Sequence, residues 1–261
     1  MFIREEWIQN TEFFPESTAQ VLNKVLEGTQ KVLAEKKLPV VVFDLDSTLF
    51  DVSRRSYEIL NEWRTHTETK TFQETAKMLA DLSPTDMRYS LEDVWNIKKI
   101  PHDRIPFDHH FKHAKQFWKE RFFGGDFLKH DQPTRGAVEF VKKLHAMGAK
   151  IVYLTGRDVP LMAFGTFDQL KQHGLPIEVE RTRLILKPKR HLDDLDFKSG
   201  AAKLIQTWGT VIASFENEPK NLIAMAKVFT PETMNIFIES VSSDHPAPGG
   251  KGIYRIREFH F

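Results

Sequence analysis

The feature that most constrains the fold of this chain is an uninterrupted apolar run that ends in acidic residues. Residues 40–43 read Val-Val-Val-Phe, and Asp44 and Asp46 follow two positions apart, with Ser47 and Thr48 behind them. Such a run predicts a buried strand of a parallel sheet, because parallel strands are covered on both faces. Open α/β sheets bind their ligands at the carboxyl ends of the strands. The run therefore predicts an α/β fold with a site close to Asp44.

Strand-like and helix-like segments alternate through most of the remaining chain. Further strands are expected at 150–154, 183–186, 211–215, 234–241 and 253–259, and helices at 17–37, 136–147, 161–173, 198–208 and 221–227. Strands that alternate with helices imply a mostly parallel sheet with right-handed crossovers. The last two strands are joined by the Pro- and Gly-containing loop 242–252, and we interpret them as a C-terminal hairpin.

Residues 51–131 interrupt this alternation and contain no strand-like run. Helices are expected there at 53–63, 72–82 and 109–123, with prolines between them and Gly124-Gly125 at the end. This block is too long for a simple crossover between two strands. We therefore interpret residues 51–131 as an inserted helical cap domain, with residues 1–50 and 132–261 forming the α/β core.

The composition excludes several classes of protein. The chain has 261 residues, a formal net charge of +1 and no cysteine. A near-neutral charge gives no support to nucleic-acid or acidic-membrane binding, and the missing cysteines exclude disulfides, a thiol nucleophile and cysteine metal sites. No run is apolar and long enough for a signal peptide or a membrane span, so a cytoplasmic location is expected.

The acidic pair after the first strand carries a resemblance to a known family. The pattern Asp-x-Asp-Ser-Thr after a hydrophobic strand resembles the opening motif of the haloacid dehalogenase superfamily, most of whose members are phosphatases. Carboxylates can form aspartyl-phosphate intermediates, and alternate side chains of an extended segment share a side. The resemblance implies that Asp44 is the nucleophile and that Asp46 is the general acid and base.

A second strand end is similar to the second motif of that family. Residues 151–157 read Ile-Val-Tyr-Leu-Thr-Gly-Arg, a hydrophobic strand that ends in a hydroxyl residue. A hydroxyl followed by glycine can bind a phosphate oxygen through its side chain and nearby amides. The resemblance implies that Thr155 and Gly156 bind the transferring phosphoryl group. Arg157 would either contact the substrate or anchor the loop, and the sequence leaves both roles open.

Two lysines are candidates for the family's third element, a cation that offsets the charge of nucleophile and phosphate. Lys198 lies at a predicted helix start, and Lys187 lies at the end of a short predicted strand. The position of Lys198 just before the strand at 211–215 matches the family order better. We therefore expect Lys198 to be the catalytic cation and keep Lys187 as a possible substrate contact.

The fourth element should supply a ligand for a hard cation after the strand at 211–215. The family pattern there is rich in Asp, whereas this chain has Glu216, Asn217 and Glu218. Mg²⁺ accepts oxygen ligands of either type and needs only one or two carboxylates. The resemblance implies a Mg²⁺ site built from Asp44, the backbone carbonyl of Asp46 and an oxygen of Glu216 or Asn217.

Taken together, the four elements imply a haloacid dehalogenase fold, which is a Rossmann-like three-layer α/β core, with a cap of the C1 type between the first two motifs. The implied reaction is Mg²⁺-dependent hydrolysis of a small phosphorylated metabolite through an aspartyl-phosphate. The alternatives are a phosphomutase, a nucleic-acid end phosphatase, and a binding protein that has kept the fold and lost the activity. Neither the substrate nor the oligomeric state follows from the sequence.

Overall fold

A computed structural model describes residues 3–261, and within them it forms a seven-stranded central sheet whose paired strands are all parallel. The strand order is β1-β9-β8-β7-β2-β5-β6. The strands are β1 (Glu12–Phe13), β2 (Pro39–Phe43), β5 (Lys150–Asp158), β6 (Thr182–Lys187), β7 (Thr210–Glu216), β8 (Met234–Ile238) and β9 (Lys251–Ile256), and a separate antiparallel pair consists of β3 (Phe50–Asp51) and β4 (Gln132–Pro133). The predicted parallel sheet is confirmed.

Helices cover both faces of the sheet. The helices are α1 (Ile3–Gln9), α2 (Thr18–Ala34), α3 (Ser53–Thr65), α4 (Gln73–Met78), α5 (Leu91–Ile97), α6 (Phe107–Phe122), α7 (Ala137–Met147), α8 (Val159–Gln172), α9 (Asp194–Ile205) and α10 (Pro219–Ala226). Val41 and Phe43 of β2 pack into the hydrophobic cluster of α2 and α7, whereas Val40 and Val42 pack with α9 and α10. Because β2 is buried on both faces, its sequence is apolar at every position. The three-layer α/β fold is confirmed. None of the described helices is long and apolar enough to cross a membrane.

Helices α3 to α6 pack around a hydrophobic cluster of their own. Trp63, Trp95, Phe111 and Phe117 are among its buried members. The chain enters this helical segment through β3 and returns through β4, and these two short strands pair with each other. The entry and the exit therefore lie side by side, next to the end of β2.

The structure differs from the sequence prediction at the C-terminus. Strands β8 and β9 are parallel, so the predicted hairpin is wrong. Residues 239–250 carry the chain from the carboxyl end of β8 back to the level of its amino end, where β9 begins. A connection of this length suits a parallel pair. The indole N–H of Trp7 donates to the carbonyl of Pro248 at 2.9 Å, so the N-terminal helix covers this connection.

Candidate active site

Three neighbouring strands, β7, β2 and β5, place the candidate residues at their carboxyl ends. Phe43 at the end of β2 lies level with Tyr153 of β5 on one side and with Phe215 of β7 on the other. Asp44 follows directly, and its backbone N–H donates to the carbonyl of Phe215 at 3.0 Å. Parallel strands have their carboxyl ends on the same side of the sheet. The polar residues that follow Tyr153 and Phe215 therefore lie on the same side as Asp44.

Lys198 joins two of these strand ends. Its ammonium group donates to Asp44 Oδ1 at 2.6 Å and to Glu216 Oε2 at 2.6 Å, and all three side chains are buried. The lysine lies in the second turn of α9, whose start is fixed by Asp193, because the Asp193 side chain accepts two backbone N–H groups of the first turn. The ammonium is thereby held over the end of β2.

This group of charges is not balanced within the protein. One ammonium serves both Asp44 and Glu216, and Glu218 adds a further negative charge nearby. Burial, with Glu216 as the next largest cause, raises the pKa of Asp44 to about 7, although Lys198 opposes this. Burial also raises the pKa of Glu216 and of Glu218. The site therefore carries more negative charge than its single lysine can offset.

Lys187 lies away from this cluster of charges. Its ammonium group pairs with Asp194 Oδ1 at 2.6 Å and donates to two backbone carbonyls of the loop after β6. These contacts fasten that loop to the start of α9. Of the two lysines that the sequence offered as the cation, the structure brings Lys198 to Asp44 and leaves Lys187 in a loop contact.

The two candidate metal ligands after β7 face different partners. Glu216 Oε1 accepts the backbone N–H groups of Asn217 at 3.1 Å and of Glu218 at 3.0 Å, while its other oxygen accepts the lysine. The amide of Asn217 accepts from the Thr48 hydroxyl at 3.2 Å and donates to the Val241 carbonyl at 2.6 Å. Glu216 is therefore the one that shares a cation with the predicted nucleophile.

The donor set is compatible with a hard divalent cation. Within residues 3–261 no group of three or more acidic, histidine or cysteine side chains forms a ready metal cage. Mg²⁺ does not require one, because it keeps several waters and uses one or two carboxylates. Asp44 and Glu216 supply oxygen atoms only, and the negative charge that Lys198 leaves uncompensated is of the sign that a cation would balance. The residues present fit Mg²⁺.

Asp46 lies in the opposite electrostatic environment. Its Oδ1 accepts from Arg55 Nη2 at 2.6 Å and from Arg157 Nη2 at 2.6 Å. Burial alone would raise the pKa of Asp46, but the two guanidinium groups outweigh it and hold that pKa well below its usual value. The ionised carboxylate is therefore favoured in this arrangement, with 30% of the side chain exposed.

The guanidinium group of Arg157 binds several other side chains of the protein. Besides Asp46, its guanidinium donates to the Thr166 hydroxyl at 3.2 Å and to Gln169 Oε1 at 2.7 Å, both on α8, and the residue is buried. Of the two roles left open by the sequence, these contacts match the anchoring role. The sequence analysis missed Arg55 altogether, because nothing in the pattern of a polar helix start indicates a fully buried arginine.

Thr155, Gly156 and Arg157 are consecutive residues of β5, in the part of the strand between Leu154 and Asp158 where the pairing with β6 shifts register. The Thr155 hydroxyl accepts the backbone N–H of Arg157 at 3.2 Å and keeps its own proton free to donate elsewhere. A Cβ atom on Gly156 would lie 2.7 Å from Asp194 Oδ2, so any other residue here would require this carboxylate to move. The end of β5 thus presents a buried hydroxyl and a glycine backbone beside the carboxyl end of β2.

Comparison with known proteins agrees with this architecture. The family model described as haloacid dehalogenase-like hydrolase matches residues 38–190, which is more than half of the chain. A protein from Clostridium difficile that has been assigned as a phosphatase is 13% identical, with a TM-score of 0.52 over 82% of this chain and 93% of that one. A protein from Haemophilus somnus, described as a predicted phosphoglycolate phosphatase, is 12% identical, with a TM-score of 0.50 over 85% of this chain and 95% of that one. No curated protein matches the sequence. At such identities the two structures show a shared fold, whereas the family model shows membership: the chain belongs to the haloacid dehalogenase-like hydrolases.

Proposed function

We propose that this hydrolase is a Mg²⁺-dependent phosphatase that acts on small phosphomonoesters through an aspartyl-phosphate on Asp44. The observation that carries the proposal is the shared ammonium of Lys198, which contacts both Asp44 and Glu216 at neighbouring strand ends. A nucleophilic carboxylate, a cation and a second carboxylate, Asp46, are the groups that phosphoryl transfer to an enzyme needs.

In the first half of the reaction, a carboxylate oxygen of Asp44 attacks phosphorus and forms a new O–P bond. The ester O–P bond breaks, and the leaving oxygen takes a proton from Asp46, whose carboxylate takes up that proton from solvent when the negatively charged phosphoryl group binds beside it and raises its pKa. Lys198 stabilises the charge that collects on the phosphoryl oxygens, and the Thr155 hydroxyl donates a hydrogen bond to one of them. The alcohol leaves, and the phosphoryl group stays on Asp44.

In the second half, a water molecule attacks the same phosphorus from the side that the alcohol vacated. The carboxylate of Asp46 takes a proton from this water, the bond between phosphorus and Asp44 breaks, and inorganic phosphate leaves. Asp46 is then protonated again and Asp44 is a free carboxylate. Mg²⁺, when held by Asp44, the Asp46 carbonyl and Glu216, would offset the negative charge that the phosphoryl group brings.

The helical segment 51–131 belongs to this proposal as a cap over the site. Its support is the separate hydrophobic cluster of α3 to α6 and the pairing of β3 with β4 where the chain crosses. A cap in this position would exclude water and select the substrate. We propose a small phosphorylated metabolite as the substrate, with neither nucleic acid nor membrane as a partner.

The proposal is tested with purified protein, Mg²⁺ and p-nitrophenyl phosphate, followed by a panel of small phosphoesters. We expect phosphate release that stops on addition of EDTA and is lost in Asp44→Asn. Asp168→Asn is the matched control, because Asp168 is an exposed residue of α8. If the wild type and Asp44→Asn release phosphate equally, or if neither does so on any ester, the chain is not a phosphatase of this kind.

A further inference from the structure

Four charged side chains form a closed ring beside the proposed nucleophile. Asp46 Oδ1 accepts from Arg55 and from Arg157, each at 2.6 Å. Asp131 completes the ring, because its Oδ1 accepts from Arg55 Nε at 2.7 Å and its Oδ2 accepts from Arg157 Nη2 at 3.2 Å. Two carboxylates and two guanidinium groups alternate, so the ring is neutral as a whole.

The ring joins the helical segment to the α/β core. Arg55 lies in the first turn of α3, just inside the segment, and Asp131 immediately precedes β4, where the segment ends. Asp46 follows β2, and Arg157 lies at the end of β5. The entry and the exit of the helical segment thus supply one member each, and the core supplies the other two.

Asp131 accepts hydrogen bonds from the same two arginines as Asp46. It is fully buried, and besides the two guanidinium groups it accepts from Gln169 Nε2 of α8 at 2.8 Å. A buried carboxylate in such a position requires partners, and its partners are the same two groups that bind Asp46. The place of each guanidinium is therefore a compromise between the two carboxylates.

The position of the Asp46 carboxylate depends on this compromise. Both arginines contact the same oxygen, Oδ1, whereas Oδ2 is contacted by Arg157 Nε alone at 3.3 Å. Arg55 is held from its other side as well, since its Nη1 donates to the Phe122 carbonyl at 3.3 Å and its guanidinium lies 4.5 Å from the centre of the Phe122 ring. A change at Asp131 would shift the arginines, and Asp46 would move with them.

We propose that Asp131 and Arg55 are positioning residues for the proton transfers of the reaction: through the arginine pair they fix the carboxylate of Asp46 against the leaving oxygen, and they tie that geometry to the docking of the helical segment. This inference rests on the proposed phosphatase function. Neither residue is assigned contact with the substrate, and neither is required for the attack by Asp44.

The test compares two kinds of ester that differ in their need for a proton. Nitrophenolate is a weak base and leaves with little help, whereas an alkoxide leaves only with a proton. Asp131→Asn and Arg55→Lys should therefore lower kcat/KM, which reports the steps up to loss of the alcohol, for an alkyl phosphate such as glycerol phosphate at least about tenfold more than for p-nitrophenyl phosphate. The reason is that a misplaced acid–base group forfeits part of a contribution of about 10²–10⁴. A loss of folded protein lowers both rates by one factor and leaves their ratio unchanged.

A double variant makes the test sharper. In an Asp46→Asn background, Asp131→Asn should not change the alkyl-to-aryl ratio further, because two residues that act through one group are not additive. Glu239→Gln is the matched control, since Glu239 is also a carboxylate paired with two arginines, Arg255 and Arg257. It should leave the ratio at the wild-type value. Thermal melting shows which variants fold, and Arg55→Lys keeps the positive charge should Asp131→Asn not fold.

The outcomes separate this inference from the function on which it rests. A wild type that hydrolyses both esters, with Asp131→Asn losing activity selectively on the alkyl ester, supports the positioning role. A wild type that hydrolyses both, with equal losses of kcat/KM on the two esters in both variants, overturns the positioning role and leaves the phosphatase function standing. A wild type that hydrolyses neither ester overturns the function and the inference together.

Discussion

The two aspartates of the first motif should respond in opposite directions to the same substitution. Asp44 and Asp46 are two residues apart, yet Asp44 shares one ammonium with Glu216 whereas Asp46 is paired with two guanidinium groups. In metal-free protein at about pH 8, we expect Asp44→Asn to raise the stability of the fold and Asp46→Asn to lower it.

The magnitude for Asp44 follows from its pKa. Burial and Glu216 raise this pKa from 3.8 to about 7. The folded protein then holds the proton more tightly than the unfolded chain, so stability is lost as the pH rises from about 4 to about 7. Three pH units at about 1.4 kcal/mol each give a cost of about 4 kcal/mol above pH 7, which Asn does not incur. For a chain of this size that is a rise of roughly 8–15 °C in Tm.

The sign for Asp46 is reversed because its pKa is lowered. Its ionised form is stabilised by Arg157 and Arg55, and this contribution is present above the unfolded-state pKa and lost as the pH falls. Replacing the carboxylate by an amide weakens charge-assisted hydrogen bonds worth about 1–3 kcal/mol. The substitution should therefore lower Tm at about pH 8.

Melting curves in EDTA at about pH 8 and at about pH 4.5 provide the measurement. The gain from Asp44→Asn should shrink towards the acidic condition, where the wild-type carboxyl is protonated as well. Adding Mg²⁺ should raise the Tm of the wild type and not that of Asp44→Asn, because only a ligand-binding fold is stabilised by mass action. If Asp44→Asn melts at or below the wild-type temperature in EDTA at about pH 8, Asp44 is not an under-compensated buried charge and the reasoning fails.

Two further comparisons test the surroundings of the site by thermal or denaturant unfolding. Lys198→Gln should cost about 3–5 kcal/mol at neutral pH, because it removes the cation from two buried carboxylates. Lys187→Gln breaks a pair whose Asp194 carboxylate is half-exposed, so it should cost about 1 kcal/mol. Similar costs for the two variants would contradict the assignment of the cation. Gly165→Ala should destabilise by about 1–3 kcal/mol, since its Cβ would lie 2.6 Å from the carbonyl oxygen of Gly125, whereas Gly200→Ala meets no atom within 4 Å and should be neutral or stabilising.

The sheet and the main site could be predicted because their signals are local. The apolar run of β2 and the polar residues behind it lie within ten positions, and parallel pairing brings the ends of β2, β5 and β7 to one edge without further information. Chain order alone favoured Lys198 over Lys187, and the structure brings Lys198 to Asp44.

The parts that could not be predicted depend on partners far apart in the chain. Arg55 and Asp131 are 76 residues apart, and Asp46 and Arg157 are 111 residues apart. No periodicity or motif marks a buried arginine, since most arginines are exposed. The parallel pairing of β8 with β9 was missed for a related reason, because sequence adjacency favours a hairpin and only the path of residues 239–250 decides otherwise.

The departure of this chain from the Asp-rich fourth motif has a physical explanation that can be tested. Glu216 is the last residue of β7, and its carboxylate accepts two backbone N–H groups with one oxygen and Lys198 with the other. An aspartate at this position is one methylene shorter, so we expect it to lose either the two backbone N–H groups or Lys198. The longer side chain therefore places negative charge beside Asp44 from within the strand.

If the length of the residue 216 side chain matters as much as its charge, Glu216→Asp should lose most of the Mg²⁺-induced rise in Tm. Glu216→Gln should lose it as well, because it removes the charge. The two variants separate the contributions, because the first keeps the charge and shortens the reach, whereas the second keeps the reach and removes the charge. A Glu216→Asp variant that gains as much from Mg²⁺ as the wild type would show that charge alone is sufficient. The reach of the glutamate would then have no part in replacing the family's aspartate.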